Sequence, residues 1–196
     1  MRVLIGCEES GTVREAFRLM GHDAWSCDIL PTRIEGQHYQ RDIMDVLDYG
    51  WDLIILHPPC TKIAVCGNST YGEGQPRYNE RLAAVEWTRS LWDKAISVCD
   101  KVCLENPVSV LRRLGGFPKP QYIQPYMFGH PEQKKTCLFL HGLQPLEETD
   151  NVKHIMDNLP KNEAQRIHYM PPGPDRARDR SKTYDGIADA FAAQWG

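Results

Sequence analysis

Trp51-Asp52-Leu53-Ile54-Ile55-Leu56-His57-Pro58-Pro59-Cys60 opens as an apolar run and closes on two prolines and a cysteine. The run reads as a strand over Asp52 to Leu56. Each proline fixes its own φ and pushes the residue before it toward extended geometry, so His57 and Pro58 leave Cys60 little backbone freedom. A thiol aimed from the end of a strand suits a nucleophile. The plainer alternative is a half-buried cysteine in a proline-rich loop.

Outward from this stretch, residues 2 to 6 read as a short apolar strand, 12 to 20 as an amphipathic helix bearing Val13, Ala16, Phe17 and Met20, and Ala24 to Asp28 as a second strand. Asn79 to Cys99 has helical spacing at Leu82, Val85, Leu91, Ala95 and Val98. Lys101 to Leu104 and Thr136 to Leu140 read as strands, and Tyr184 to Gln194 as a closing helix. Strands alternating with helices predict an α/β fold, with a mostly parallel sheet and helices on both faces. Gly67 to Pro76, glycine-rich and close behind Cys60, has the composition of a mobile active-site flap, and Met170 to Asp175 that of a breaker before a basic run.

At 196 residues the chain fits one domain over 1–196. Its 25% charged and 41% hydrophobic residues are a globular balance, and no apolar stretch approaches the roughly 18 residues that span a membrane. Arg2-Val3-Leu4-Ile5 runs straight into a strand without a signal-peptide pattern, and seven scattered cysteines read as reduced thiols, so a cytoplasmic protein with no membrane partner is expected. The net charge of −3 argues against a strongly basic nucleic-acid binder. Yet Arg112-Arg113, Lys134-Lys135 and the run Arg176, Arg178, Arg180, Lys182 gather positive charge in the second half, as a nucleic-acid face or as ordinary solvated surface. Neither Cys66 with His57 and Cys60, nor Cys137 with His141, has paired ligand spacing, and no metal is expected.

In open α/β sheets, ligands bind beyond the carboxyl ends of the strands. Those ends read Gly6-Cys7-Glu8-Glu9-Ser10-Gly11, Asp28, His57-Pro58-Pro59-Cys60 and Glu105-Asn106-Pro107, so nearly every candidate polar residue falls on one edge. Helix caps and turns also favour Asp, Ser and Asn there.

Pro58-Pro59-Cys60 followed by Glu105-Asn106, with Arg41-Asp42-Ile43 upstream and Gln133-Lys134-Lys135 downstream, resembles in order and spacing the motifs of the DNA cytosine carbon-5 methyltransferases, over most of the chain from Cys7 onward. The resemblance implies a Rossmann-like fold that binds S-adenosylmethionine. It also implies a reaction in which a thiolate adds to carbon 6 of cytosine so that carbon 5 can accept a methyl group. Cys60 would supply the sulfur, with Pro59 fixing its approach. Glu105 would present a carboxyl kept protonated, or sharing a proton, to ring nitrogen 3, and Asn106 would hold the loop. Amino-group methyltransferases place Asp, Asn or Ser before the prolines and an aromatic after them; His57 and Cys60 stand there instead, which points to covalent ring chemistry.

For the cofactor, the resemblance implies a Gly-rich turn after the first strand, an acidic residue after the second for the ribose hydroxyls, and an Asp near the adenine. Gly11, Asp28 and Asp42 match these places, and Cys7, Glu8, Ser10, Ile29, Ile43, His57, Pro58 and Thr183 complete the expected lining. Glu9 stands where a glycine is usual; a carboxylate there would repel the methionine carboxylate and attract the amine or sulfonium. Gln133 and Lys135 match a Gln followed by alternating arginines that grip the cytosine oxygen, with Cys137 in place of the second arginine. With Arg176, Arg178 and Arg180 they are the expected substrate contacts.

Only residues 143–178 occupy the interval where such enzymes carry a target-recognition domain. That predicts binding to DNA with low sequence specificity, as in compact phage-encoded relatives, and leaves room for an accessory recognition partner or a homo-oligomer. The alternatives are the same chemistry on RNA or a free pyrimidine nucleotide, and a cofactor- or nucleic-acid-binding protein without turnover.

Overall fold

The structure, a computed structural model, describes residues 1–173 and 176–196, the side chains of 177 and 178 excepted. In chain order the elements are β1 (Arg2–Gly6), α1 (Thr12–Leu19), β2 (Asp23–Asp28), β3 (His38–Gln40), β4 (Leu53–Leu56), α2 (Asn68–Tyr71), α3 (Tyr78–Val98), β5 (Val102–Pro107), α4 (Leu111–Leu114), β6 (Gln121–Ile123), β7 (Thr136–His141), α5 (Lys153–Met156), α6 (Lys161–Ala164), α7 (Arg166–Tyr169), α8 (Arg176–Ser181) and α9 (Asp185–Trp195). The strands form one seven-stranded sheet in the order β3-β2-β1-β4-β5-β7-β6. β1 to β5 pair in parallel, and β7 alone runs against its neighbours β5 and β6.

All four residues of β4 are fully buried, as a strand at the centre of a parallel sheet must be when both of its faces are covered. Leu4, Ile54, Leu56, Val102 and Leu104 point to one face and pack with Val85, Leu91, Trp92 and Ala95 of α3. Val3, Ile5, Leu53, Ile55 and Cys103 point to the other and meet Val13, Ala16 and Phe17 of α1 and Ile187, Ala188, Phe191 and Trp195 of α9. This is the mostly parallel α/β sheet with helices on both faces that the alternation predicted, in the Rossmann-like arrangement that the resemblance implies. No helix among the described residues is long and apolar enough to cross a membrane.

The register levels the strand ends. Gly6 lies opposite Cys27 and Leu56, and Leu56 opposite Leu104, so Cys7, Asp28, His57 and Glu105 emerge side by side. Gly6 is needed for close approach: a Cβ on it would stand 2.6 Å from Ile43 Cδ1 and 2.7 Å from Leu56 Cδ2.

Two expectations are revised. β3 and β6 were not legible, and β5 continues through Glu105-Asn106-Pro107 instead of stopping at Leu104, because antiparallel pairing with Leu138, Cys137 and Thr136 carries it on. Gly67 to Pro76 is not a free flap at its start. Arg81 of α3, 1% exposed, donates to the carbonyls of Lys62 (2.7 Å) and Ala64 (3.1 Å) and to Asn68 Oδ1 (2.7 Å), and Tyr71 is buried. Within residues 143–173 the helical structure is the three short helices α5, α6 and α7, which bury Met156, Ala164 and Ile167. Pro174, Asp175 and the side chain of Arg178 lie outside the described residues.

Candidate functional site

The cysteine turn is held from three sides. The His57 N–H donates to Gly6 O (2.9 Å), which prolongs the β1–β4 contact by one residue. Cys60 O then accepts from the N–H groups of Ile63 (3.1 Å) and Ala64 (2.8 Å), closing a tight turn. The segment docks on the chain after β5 through Val65 N–H to Val108 O (3.0 Å) and Val110 N–H to Ile63 O (3.0 Å). Asn106, 1% exposed, donates from Nδ2 to Pro58 O at 3.3 Å. Pro58 is buried and Pro59 exposed, which leaves Cys60 half-buried at the rim. Burial, foremost, and the Glu105 charge raise the Cys60 thiol above its ordinary value, while Lys134 pulls it down. At neutral pH the resting group is therefore a thiol with a lysine beside it.

Glu105 lies across from this turn, with Oε2 3.2 Å from His57 Nδ1. Burial opposes ionisation of Glu105. The hydrogen bond from His57 and the Lys134 ammonium outweigh it, and the carboxyl sits below its ordinary value. Of the two expected states, a carboxyl kept protonated or one sharing a proton, the free protein fits the second: Glu105 sits low, hydrogen-bonded to a histidine of the neighbouring strand and faced by a lysine. His57, expected toward the cofactor, turns its ring to Glu105.

Lys134 was missed in favour of its neighbour. Its Nζ donates to Lys182 O (3.0 Å) and lies 5.6 Å from the centre of the Tyr184 ring, and its charge couples to both Glu105 and Cys60. Lys135 is exposed and rests over Tyr122, 4.3 Å from the ring centre, turned away from Cys60. Cys137 is buried in the core. Gln133 accepts from Gln165 Nε2 (2.9 Å), and its N–H donates to Ala164 O (2.7 Å), which ties it to α6 and α7. Of the arginines, Arg180 is close enough to depress the Lys134 ammonium, and Arg176 Nε donates to Met170 O (2.9 Å).

At the β1 end, Glu8 and Ser10 face inward. Glu8 Oε1 accepts from the N–H of Val13 (2.8 Å) and from Ser10 Oγ (3.0 Å), and Ser10 Oγ accepts from the N–H of Thr12 (3.2 Å). The first donors of α1 are thereby spent on the chain's own carboxylate, so this helix end does not offer itself to a phosphate as a dinucleotide fold does. Gly11 takes a left-handed φ of 76° as the helix begins, and Cys7 holds one of 57°, the single left-handed non-glycine among the described residues. Such a conformation costs energy on a cysteine and marks a turn set by its surroundings. Arg14, fully buried, donates to Ser26 Oγ (3.0 Å), Thr32 Oγ1 (3.1 Å) and Ile34 O (2.7 Å), folding the β2–β3 loop over α1.

Glu9 is paired with Arg33 of that loop through both guanidinium nitrogens Nε and Nη2, so the departure from glycine carries its own counter-ion. Asp28 ends β2 with Oδ1 accepting from the Leu30 N–H (2.9 Å); burial, foremost, raises its carboxyl. Ile29 is largely exposed beside it. Asp42 caps the short 3-10 turn at Ile43–Asp45 through the Met44 N–H (2.9 Å), and Ile43 is core, beneath Gly6. These residues fit a cofactor with a ribose and without a pyrophosphate. Asp28 and the close-approach turn suit the ribose, and the spent first donors of α1 do not suit a pyrophosphate.

Beyond Lys134 the edge opens into a cleft of about 410 Å3 lined by His130, Glu132, Arg166, Lys182, Thr183 and Tyr184, among others. Glu132 is clamped by Tyr184 Oη (2.7 Å) and Arg166 Nε (3.0 Å). Thr183 lies here, one residue past the carbonyl that Lys134 holds.

No family model and no curated protein matches the chain. Among solved structures it is similar to the methyltransferase EhMeth of Entamoeba histolytica (TM-score 0.48, 13% identity, 78% of this chain and 57% of that one). It is also similar to the Dnmt2 methyltransferase of S. pombe (TM-score 0.42, 15% identity, 74% and 50%). The chain thus spans between half and three-fifths of these proteins.

Lys134, Arg14, Arg33 and Arg81 are the residues that sequence reasoning passed over. The Lys134-Lys135 doublet was a signal, since only one of two adjacent residues entering a strand can face a given side. The three arginines gave none, because each satisfies partners brought to it by the fold.

Proposed function

We propose that the protein is an S-adenosylmethionine-dependent methyltransferase that methylates carbon 5 of cytosine in DNA through a covalent bond to Cys60. The reading is carried by one observation: Asn106 fastens the Pro58-Pro59-Cys60 turn to the strand that bears Glu105. A nucleophile and a carboxyl are thereby placed in each other's field. Carbon 5 of cytosine is a weak nucleophile, and addition of sulfur at carbon 6 makes it an enamine carbon. Lys134 pulls Cys60 toward the thiolate that this requires, against the larger effect of burial. Glu105 meets ring nitrogen 3, where charge gathers as the sulfur adds. S-adenosylmethionine, when bound, supplies an electrophilic methyl group. Asp28 would hold its ribose, and the turn from Cys7 to Gly11 its cationic end. A base in duplex DNA must leave the stack for Cys60 to reach carbon 6 from the ring face. Residues 143–178 offer little surface for reading sequence.

Cytosine fluorinated at carbon 5 tests the chemistry and the substrate together. It accepts sulfur and methyl but cannot lose a proton from carbon 5, so the Cys60 peptide should gain the mass of the methylated base. Presented in DNA, in RNA and as a free nucleotide, the analogue should trap the protein in DNA. Trapping with RNA or nucleotide alone would move the substrate, and trapping with none would leave a protein without turnover.

A further inference from the structure

The proposed chemistry needs a proton at Glu105, and the free protein holds that carboxyl ionised. Its source is argued from three side chains along the levelled ends of β1, β4 and β5. Glu8 is 5% exposed, and the bonds from Val13 and Ser10 to Oε1 fix its conformer and leave Oε2 buried without a partner. His57 holds Glu105 with Nδ1, and its Nε2 is likewise buried without a partner. The His57 backbone N–H is bonded to Gly6 O, two residues before Glu8, and the two side chains are near enough to interact electrostatically.

We propose that Glu8, His57 and Glu105 form a proton relay, in which Glu8 is the buried acid and His57 carries its proton across to Glu105; this rests on the carbon-5 reading above. An imidazole that donates from Nδ1 presents a lone pair at Nε2. A carboxylic acid at Glu8 Oε2 would answer that lone pair through one bridging water, which would also satisfy both orphaned atoms, whereas a carboxylate would set acceptor against acceptor. Burial, foremost, raises the Glu8 carboxyl, against the opposing pull of His57, the Val13 N–H and Ser10. The Cys60 thiol gives its own proton to solvent; as its sulfur then adds to carbon 6, the Glu8 proton moves to Nε2, the Nδ1 proton to Glu105 Oε2, and a proton from Glu105 to nitrogen 3. Glu8 is left a carboxylate and His57 in its other neutral tautomer. Elimination of the sulfur returns the proton by the same path. Neither Glu8 nor His57 touches the base; both act through Glu105. The other titratable groups facing Glu105 are Lys134, Cys60, Cys103 and Cys137.

Two measurements test the relay. In protein labelled with 15N-histidine, His57 should show a protonated Nδ1 and an unprotonated Nε2 near neutral pH. An imidazolium or an Nε2–H tautomer overturns the proposal, and this result stands whether or not the protein methylates anything. Glu8→Gln keeps the acceptor for Val13 but has no acid proton, so Glu105 must be charged from solvent. The ratio of wild-type to variant methyl transfer should therefore rise with pH, by up to about tenfold per unit, for as long as Glu8 keeps its proton. A constant ratio means a structural role only and overturns the relay. If the wild-type protein methylates no pyrimidine, the functional reading fails, and the tautomer alone decides.

Discussion

Asn106 donates from Nδ2 to the carbonyl oxygen of Pro58 at 3.3 Å, a bond between neighbouring strand ends in which the donor is 1% exposed. It makes the position of Cys60 a property of β5. Asn106→Ala strands the Pro58 carbonyl and should cost about 1–3 kcal/mol in chemical denaturation. Cys60 should also become more reactive to iodoacetamide as the turn loosens, while methyl transfer falls. An unchanged denaturation midpoint would show that the turn is held by Ile63, Ala64 and Val65 alone.

Lys134 and Lys135 separate by the face they take. Lys134→Ala should slow alkylation of Cys60 at neutral pH by about threefold to tenfold, since the thiol loses the cation that draws its proton off. Lys135→Ala should leave the rate alone, because that side chain covers Tyr122. Tryptic cleavage after Lys62 puts Cys60 and Cys66 in different peptides, so each rate is read separately by mass spectrometry.

This pair also marks how far the sequence could be read. The buried strands β1, β4 and β5 and the helices α1, α3 and α9 declare themselves by apolar runs and helical spacing, and their register alone sets the row of Cys7, Asp28, His57 and Glu105. β3 and β6 are three residues long, too short for a period to show. What escapes reading is non-local. Glu105 is ionised by a histidine 48 residues away, and Glu9 is answered by an arginine 24 residues on. Nothing in either neighbourhood of sequence carries the partner.

The Glu9–Arg33 pair is partly exposed, so Arg33→Ala should change stability by less than about 1 kcal/mol. Its effect on the cofactor should be larger than on the fold. In the wild type Arg33 neutralises Glu9, and freeing that carboxylate, which attracts an amine or sulfonium, should tighten S-adenosylmethionine by a few-fold in calorimetry at low salt. Weaker binding would place the methionine carboxylate, not the amine, at Glu9.

Glu8 gives a pH signature of the opposite sign to an ion-paired carboxylate. Its folded value is raised, with burial the largest cause, so the unfolded chain releases the proton first as pH rises. The stability linked to Glu8 is complete below the ordinary carboxylate range and is lost progressively up to the raised folded value, at up to about 1.4 kcal/mol per pH unit. Glu8→Gln stays neutral throughout and still accepts from Val13. It should match the wild type in acid and become the more stable protein as pH rises toward neutrality, in urea titrations compared pH by pH. Glu105 works the other way: its lowered value adds stability above the ordinary carboxylate range that is lost as pH falls through the folded value. Wild-type stability should therefore peak between the two. A Glu8→Gln protein that tracks the wild type at every pH would mean that Glu8 is ionised in the fold, and that the buried acid is not there.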